Sequence, residues 1–488
     1  MTRQVASNTA FPPWLGRRDP RNRAFNLVAA VALVSIFAPG SLTSGGPLTN
    51  AFASGDTVAG CDVEVYQTNE TTNQDDDVLL TVAANQIGAP IDNPSHVRVT
   101  QDSQSRCVLE FIAVAETMRL EIPASSPAVD AIVVGGGGAG SWGGGGAGGF
   151  HQALSLPVTD LGQSALIRVG AGGTAPSVRD NLDFAAYFGA DDDSNALGEN
   201  GGEGGTSYLI GSNDEDFSKS HTDRVASSSG IARATSIQML GGGGGGERSS
   251  RGTGASGGGA GLLALFDQNV ISGGTARDQG SYGNVGGSAD ADEAGSFDDE
   301  TASHPVAYIG GGGGGFGGAG AEGSASLANT GTSVTGGDGG LGTVVDWTGT
   351  PRVAAAGGGG TAQLKGGGSS TTVNAGLGGG ADVDGNGSIG SNERCGGAGG
   401  TGSDTVVRTD AASGQANSGC GGGGAGGWGK NAGSGGSGIV IVRFAPPPVD
   451  PAPELGVVTR LDGGFSVPVS NVGVYSGAVT LAAVVSGE

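Results

Sequence analysis

The chain has 488 residues, of which 104 are glycine and only 5% aromatic, and its formal net charge is −24. Without a sustained Gly-X-Y period it is not collagen, and so acidic a surface argues against nucleic acid as a partner. Glycine buries no side chain and loses the most backbone freedom on folding. Any ordered glycine region must therefore be held by its backbone.

The first 53 residues read as a signal peptide. "RRDPRNR" precedes the uncharged run "AFNLVAAVALVSIFA", which is too short for an easy membrane span. "AFA" at Ala51–Ala53 offers a small-x-small cleavage site. The expected compartment is therefore the cell surface or the exterior. An exported chain with four cysteines permits disulfides. Local pairing, Cys61 with Cys107 and Cys395 with Cys420, is preferred among three connectivities.

Residues 54–107 form a small β-like region in which "CDVEVYQT" and parts of "HVRVT" and "CVLEFIAV" alternate. "TMRLEIPA" puts Met118, Leu120 and Ile122 on one face. From "DAIVVGGGGAG" a new grammar begins, a short strand running into glycines. It recurs irregularly through "ALIRVGAGG", "TSIQMLGGGGGG", "PVAYIGGGGGG" and "PRVAAAGGGG", and closes as "GGSGIVIVRFA". These segments define a glycine-rich β domain over 108–445. The insertions "FGADDDSNALGEN" and "GSNDEDFSKSHTDR" read as acidic loops, and "AGLLALFDQNV" as a weak helical turn or two. A Pro-rich linker follows at 446–455, then an incomplete β-like segment at 456–488. The fold class expected is mainly β, with strands joined to polyglycine runs.

Gly135, Gly137 and Gly140 satisfy G-x-G-x-x-G after a strand. A dinucleotide site also needs a helix next, to present its N-terminus to the pyrophosphate. "SWGGGGAGGFHQ" cannot supply one, since each glycine costs about 1 kcal/mol against alanine in a helix. "GAGGWGKN", from Gly424 to Asn431, approaches a P-loop but places Asn431 where Ser or Thr should reach magnesium. No nucleotide is expected. His96, His151, His221 and His304 are scattered in unlike contexts, and no nucleophile or acid–base set meets the spacing rules. The chain therefore reads as non-enzymatic.

"DVDGNGSIGSNE" stands apart. It fits D-x-[DN]-x-[DN]-G-x₅-E, the spacing that wraps oxygen ligands around a calcium ion. Asp382, Asp384 and Asn386 supply side-chain oxygens, Ser388 its backbone carbonyl, and Glu393 a bidentate carboxylate. Gly387 permits the sharp turn. Flanking helices are missing, and the competing reading is an ordinary acidic turn.

"VDAIVVGGGGAGSWGGGGAGGF", "ALIRVGAGG" and "GGGGAGGWGKNAGSGGSGIVIVRF" together resemble the glycine-rich domain of secreted and surface bacterial proteins, similar to that of phage tail-fibre adhesins. The resemblance spans about Val108 to Phe444. It implies β-strands around a core of polyproline-II-like glycine chains, no agreed enzymatic activity, and binding through loops between the glycine runs. The function expected is binding or adhesion to a surface receptor, glycan or envelope component. The alternative is a structural component of envelope or matrix that acts by self-association.

Overall fold

A computed structural model describes residues 63–68, 78–80, 96–102, 104, 106–123, 126–176, 200–224, 230–246, 253–264, 282–292, 306–328, 331–365, 371–403, 408–425 and 430–444, with four short strands beyond 453. Residues 1–53, the candidate signal peptide, lie outside this set, as do Cys61 and most of "FGADDDSNALGEN". The chain divides into two compact units, Asn50–Val449 and a second made of Met1–Thr49 with Asp450–Glu488. In the second, the described residues are two short antiparallel pairs, Glu454–Leu455 with Val469–Ser470 and Thr459–Leu461 with Gly464–Ser466.

The alternating segments form a β-sandwich. A seven-stranded antiparallel sheet runs in the order Ile231–Ala232, Ser236–Met239, Ser207–Gly211, Ser164–Arg168, Thr117–Glu121, Glu64–Gln67, Val78–Leu80. A five-stranded antiparallel sheet runs Val97–Gln101, Cys107–Phe111, Ile439–Phe444, Ala128–Val134, Phe150–Pro157. Met118, Leu120 and Ile122 face the shared core as their alternation requires, against Leu109, Phe111, Val440 and Phe444 from the facing sheet. The strands of 54–107 thus complete both sheets alongside strands from the glycine-rich segment. The opening and closing strands of that segment pair directly, Val134 opposite Ile439 and Val129 opposite Phe444.

A second, smaller sandwich is built later in the chain. One sheet runs Gly261–Ala264, Val306–Gly310, Ala362–Lys365, Thr401–Ser403, and the other Ala289–Asp292, Gly323–Ala328, Gly331–Thr335, Thr371–Asn374. Its core is alanine-rich, with Leu262, Ile309, Val334 and Leu364 as the larger members. The segment "AGLLALFDQNV", expected to make a helical turn or two, instead opens with a strand at Gly261–Ala264, and its residues 265–270 lie outside the described residues. Pairing with Val306–Gly310 supplies partners that an isolated helical turn lacks.

Between the sandwiches the glycine runs pack as a lattice. Along 135–141 the N–H groups donate in three directions in strict rotation. Gly135, Gly138 and Ser141 donate to Gly149, Gly146 and Gly143; Gly136 and Ala139 to Gly205 and Gly202; Gly137 and Gly140 to Gly436 and Gly433. A period of three is that of the polyproline II helix, which has three residues per turn and no internal hydrogen bonds. The same run accepts from Gly242 and Gly245, from Gly173, and from Gly422 and Ala425. Six neighbouring segments therefore surround it. The run 310–315 repeats the rule, donating to 361 and 358, to 260 and 257, and to 321 and 318. Lateral bonds of this kind satisfy a buried backbone that has no side-chain core of its own.

Close approach, rather than unusual φ, explains the glycines of these runs. A Cβ added at Gly145 would lie 2.0 Å from the Gly138 carbonyl oxygen. Alanine enters only where the lattice leaves room, as at the fully buried Ala139 and Ala147.

The acidic segment "GSNDEDFSKSHTDR" is ordered, contrary to the loop expected. It forms a 3₁₀ turn at Glu215–Ser218 and a single α-turn at His221–Arg224. Arg224 explains the order, since its guanidinium donates to the Asp216 and Phe217 carbonyls and to the buried Tyr208 hydroxyl. Phe217 packs on Leu166, Tyr208 and Ile210. Burial alone would raise the Asp214 carboxyl, but donation from Thr235 Oγ1 and the Asp216 N–H outweighs it and holds Asp214 below the ordinary range.

Candidate metal loop and the surrounding scaffold

The loop 382–393 leaves the lattice at Gly380 and returns at Arg394. These two residues form an isolated antiparallel bridge, and the Ala381 N–H donates to the Glu393 carbonyl at 3.1 Å. Arg394 Nη1 donates to the Gly378 carbonyl at 2.7 Å. One residue further on, Cys395 is disulfide-bonded to Cys420, with Cα atoms 5.8 Å apart. That bond ties the base of the loop to the run 419–425, and matches the preferred local pairing. Cys107 is also disulfide-bonded. Val353, Ala356, Ala381 and Val383 pack around the Cys395–Cys420 bridge. The loop is thus mounted on the disulfide-tied edge of the lattice without either of the helices that usually flank such a sequence.

Within the loop, Asp382, Asp384 and Glu393 converge, one oxygen from each lying within 4.8 Å of the others, a set that could hold a metal ion. Backbone donors offset their mutual repulsion. Asp382 Oδ1 accepts from Gly385 and Asn386 and its Oδ2 from Gly387, at 2.7–3.1 Å. Glu393 Oε1 accepts from Val383 and Asp384, and Oε2 from Gly390. These N–H groups, the Gly387 donor first for Asp382 and the Gly390 donor first for Glu393, hold both carboxyls below their ordinary ranges. Gly385 and Gly387 take φ of +72° and +82°, the left-handed conformation that the turn demands.

Of the five residues predicted, the three carboxylates come together. Asn386 instead turns its side-chain oxygen toward Ser388, accepting from its N–H at 2.8 Å and its hydroxyl at 2.6 Å. Its amide nitrogen donates to Asp384 Oδ2 at 2.8 Å. What the motif did not reveal is the 3₁₀ turn Ser391–Glu393, which swings Glu393 back over the start of the loop.

The other sequence candidates are dispersed. The N–H groups of residues 135–140 all donate to carbonyls of the lattice, which engages the donors a pyrophosphate would require. Gly422, Gly423 and Gly424 likewise donate to carbonyls, and Asn431 is held by Asp410 Oδ1 at 2.8 Å. His96 meets Glu116 at 2.7 Å, His151 lies edge-on to Tyr282, and His221 opens its short helix; His304 lies outside the described residues. Burial holds the His151 imidazole below its ordinary pKa.

One polar cluster was not anticipated. Asp130 and Arg443, on the paired opening and closing strands, are both buried and form a salt bridge at 2.7 Å. The Arg443 guanidinium lies 4.0 Å from the Trp347 ring centroid and reaches Asp102 at 3.4 Å. Asp130 sits where the pairing with Phe150–Pro157 slips by a residue, and its Oδ1 accepts the N–H of Ser155, which has φ of +55°. The available signal was a charge inside each of two apolar strands, "VDAIVV" and "IVIVRF".

Residues 113–345 match a family described as glycine-rich domain. No curated protein matches the chain. The lattice extends past the matched segment, since residues 357–360, 419–425 and 433–438 bond to runs within it.

Proposed function

We propose that this glycine-rich domain is the scaffold of a secreted or cell-surface binding protein, non-enzymatic in action, whose loops meet a receptor, glycan or envelope component. The observation that supports this most is the division of labour in the fold. The lattice spends its backbone groups on itself and carries few side chains, so the loops it holds are well placed to present chemistry that recognises a partner. Rigid scaffolds with recognition loops are a common arrangement for binding. Cell fractionation followed by binding of the purified protein to intact cells and glycan surfaces tests the reading. Saturable binding by exported protein is expected; retention in the cytoplasm, or no binding to either surface, would overturn it.

In the same reading, the loop 382–393 binds calcium, with Kd on the order of 10⁻⁴–10⁻³ M, as in extracellular modules. Calorimetric titration of chelator-treated protein should show calcium heat that disappears in Asp382→Ala/Glu393→Ala. The pH dependence has a definite sign. Both carboxyls have lowered folded-state pKa values, so their contribution to loop order is full above the ordinary carboxylate range. It is lost as pH falls through the lowered values, and calcium affinity should fall with it. Unchanged heat in the double variant would assign the ion to other acidic segments.

A second reading, self-association in an envelope or matrix, has an observation of its own. Val285, Leu341 and Leu377 are exposed apolar side chains on outer runs, connected through bonds from Gly320 to Val285, Gly317 to Leu341 and Gly339 to Leu377. Concentration-dependent assembly without any added ligand would favour it over loop-mediated binding.

A further inference from the structure

The sequence contains two Asn-Gly pairs, Asn200–Gly201 and Asn386–Gly387. Both are candidates for attack of the glycine nitrogen on the asparagine side chain, because glycine leaves that nitrogen unhindered. The structure treats them oppositely. Gly201 is buried in the lattice, its N–H donates to the Gly245 carbonyl at 3.0 Å, and a Cβ there would lie 2.2 Å from the Ala139 carbonyl oxygen. Its nitrogen cannot reach a side chain without breaking that packing. Asn386 and Gly387 are exposed, and nothing lies within 4 Å of the Cβ position at Gly387.

The surroundings of Asn386 favour reaction beyond exposure. The turn made by Asn386 Oδ1 and the Ser388 N–H spans the Gly387 peptide, whose nitrogen is the attacking atom. Two donors, the Ser388 N–H and Oγ, polarise the side-chain carbonyl and stabilise the oxyanion that forms as the nitrogen adds. The Gly387 N–H donates to Asp382 Oδ2 at 2.7 Å, and its peptide is exposed, so hydroxide from the solvent can take the proton. The leaving nitrogen, Nδ2, is held by Asp384 Oδ2.

We propose that Asn386–Gly387 is a self-acting deamidation site, and that its aspartate product adds a fourth carboxylate to the loop. The second half rests on the calcium reading; the first does not. The Gly387 N–Cγ bond forms as its proton passes to hydroxide from the solvent. The Cγ–Nδ2 bond then breaks, and the nitrogen regains a proton and leaves as ammonia. Water opens the five-membered imide at either carbonyl, giving aspartate or isoaspartate in place of Asn386. The net change is amide plus water to carboxylate plus ammonium, and no oxidant or other reactant is consumed. Because ligand charge tunes the affinity of such loops, the aspartate form should bind calcium about tenfold more tightly. The isoaspartate form, whose backbone is one carbon longer, loses the turn.

The test is a time course on the full chain in chelator at mildly alkaline pH, read by peptide mass spectrometry at both pairs. In the folded protein, Asn386 should convert at least about ten times faster than Asn200, since the Gly201 nitrogen is locked in the lattice while the Gly387 peptide is exposed. In denaturant the two should react at comparable rates, and Ser388→Ala, with its fold verified by circular dichroism, should slow Asn386 alone. Equal rates in the folded chain, or an Asn386 that reacts only when unfolded, would overturn the site. Calcium titration of Asn386→Asp beside the parent tests the second half. Equal affinities would overturn it, and absence of binding by both would overturn it together with the calcium reading, leaving the mass measurement to decide the deamidation by itself.

Discussion

Gly145→Ala is expected to destabilise the folded unit by about 3–5 kcal/mol in urea unfolding, from overpacking together with displaced backbone hydrogen bonds. The new Cβ would meet the Gly138 carbonyl oxygen at 2.0 Å and its carbon at 2.6 Å, all backbone with no flexible end to move aside. Gly145 also donates to the Gly422 carbonyl and accepts from the Gly358 N–H, so displacing it strains three runs at once. Gly385→Ala provides the contrast. There a Cβ meets nothing within 4 Å, and the cost is only that of a positive φ, about 1 kcal/mol. Equal and small losses in the two variants would show that the lattice yields to side chains and that its glycines are not set by close approach.

Asp130→Ala should cost about 3–5 kcal/mol, because it breaks a buried pair and leaves two guanidiniums, Arg443 and Arg106, to share the single Asp102 carboxylate. Arg443 would lose its acceptor at 2.7 Å while remaining buried under Trp347, and the Ser155 N–H would lose the carboxylate that satisfies it at the irregular pairing. Replacing both partners, Asp130→Ala with Arg443→Leu, should recover a large part of that loss, since no lone charge remains. The Asp102–Arg106 pair at 2.6 Å stays intact in the double variant. A double-mutant cycle from chemical denaturation checks this, and additive losses would contradict it. Acid should weaken the same region. Burial would raise Asp102, but the N–H groups of Arg106 and Gln104 and the Arg106 guanidinium outweigh it and lower its pKa. Its contribution is therefore full above the ordinary carboxylate range and is lost as pH falls through the lowered value.

Much of the molecule follows from local sequence. The alternation of Met118, Leu120 and Ile122 is enough to make Thr117–Glu121 a half-buried strand, because period two sends successive side chains to opposite faces. The strand-then-glycine grammar marks where each sheet ends and the lattice begins. The carboxylates of 382–393 are legible for the same reason, since a twelve-residue turn sets its own geometry from spacing and two glycines. Resemblance supplied the polyproline II expectation, and the three-residue rotation of donors along 135–141 is its structural counterpart.

Tertiary structure alone decided the remainder. No residue pattern announces that Gly137 bonds to Gly436 rather than to any other glycine, because a residue without a side chain carries no recognition of its own. The partner of each run is fixed by the strands that feed it and by the space its neighbours leave. The Asp130–Arg443 bridge joins positions 313 apart and exists only because the opening and closing strands pair. Gly261–Ala264 became a strand because Val306–Gly310 lay beside it, and "GSNDEDFSKSHTDR" became ordered because Arg224 found carbonyls and a tyrosine hydroxyl to bind. At Gly261–Ala264 a weak local preference was overruled by hydrogen bonds to a distant strand, and in the acidic segment by one side chain's bonds to its own turn and to a core tyrosine, whose combined free energy exceeds any preference a few residues hold by themselves.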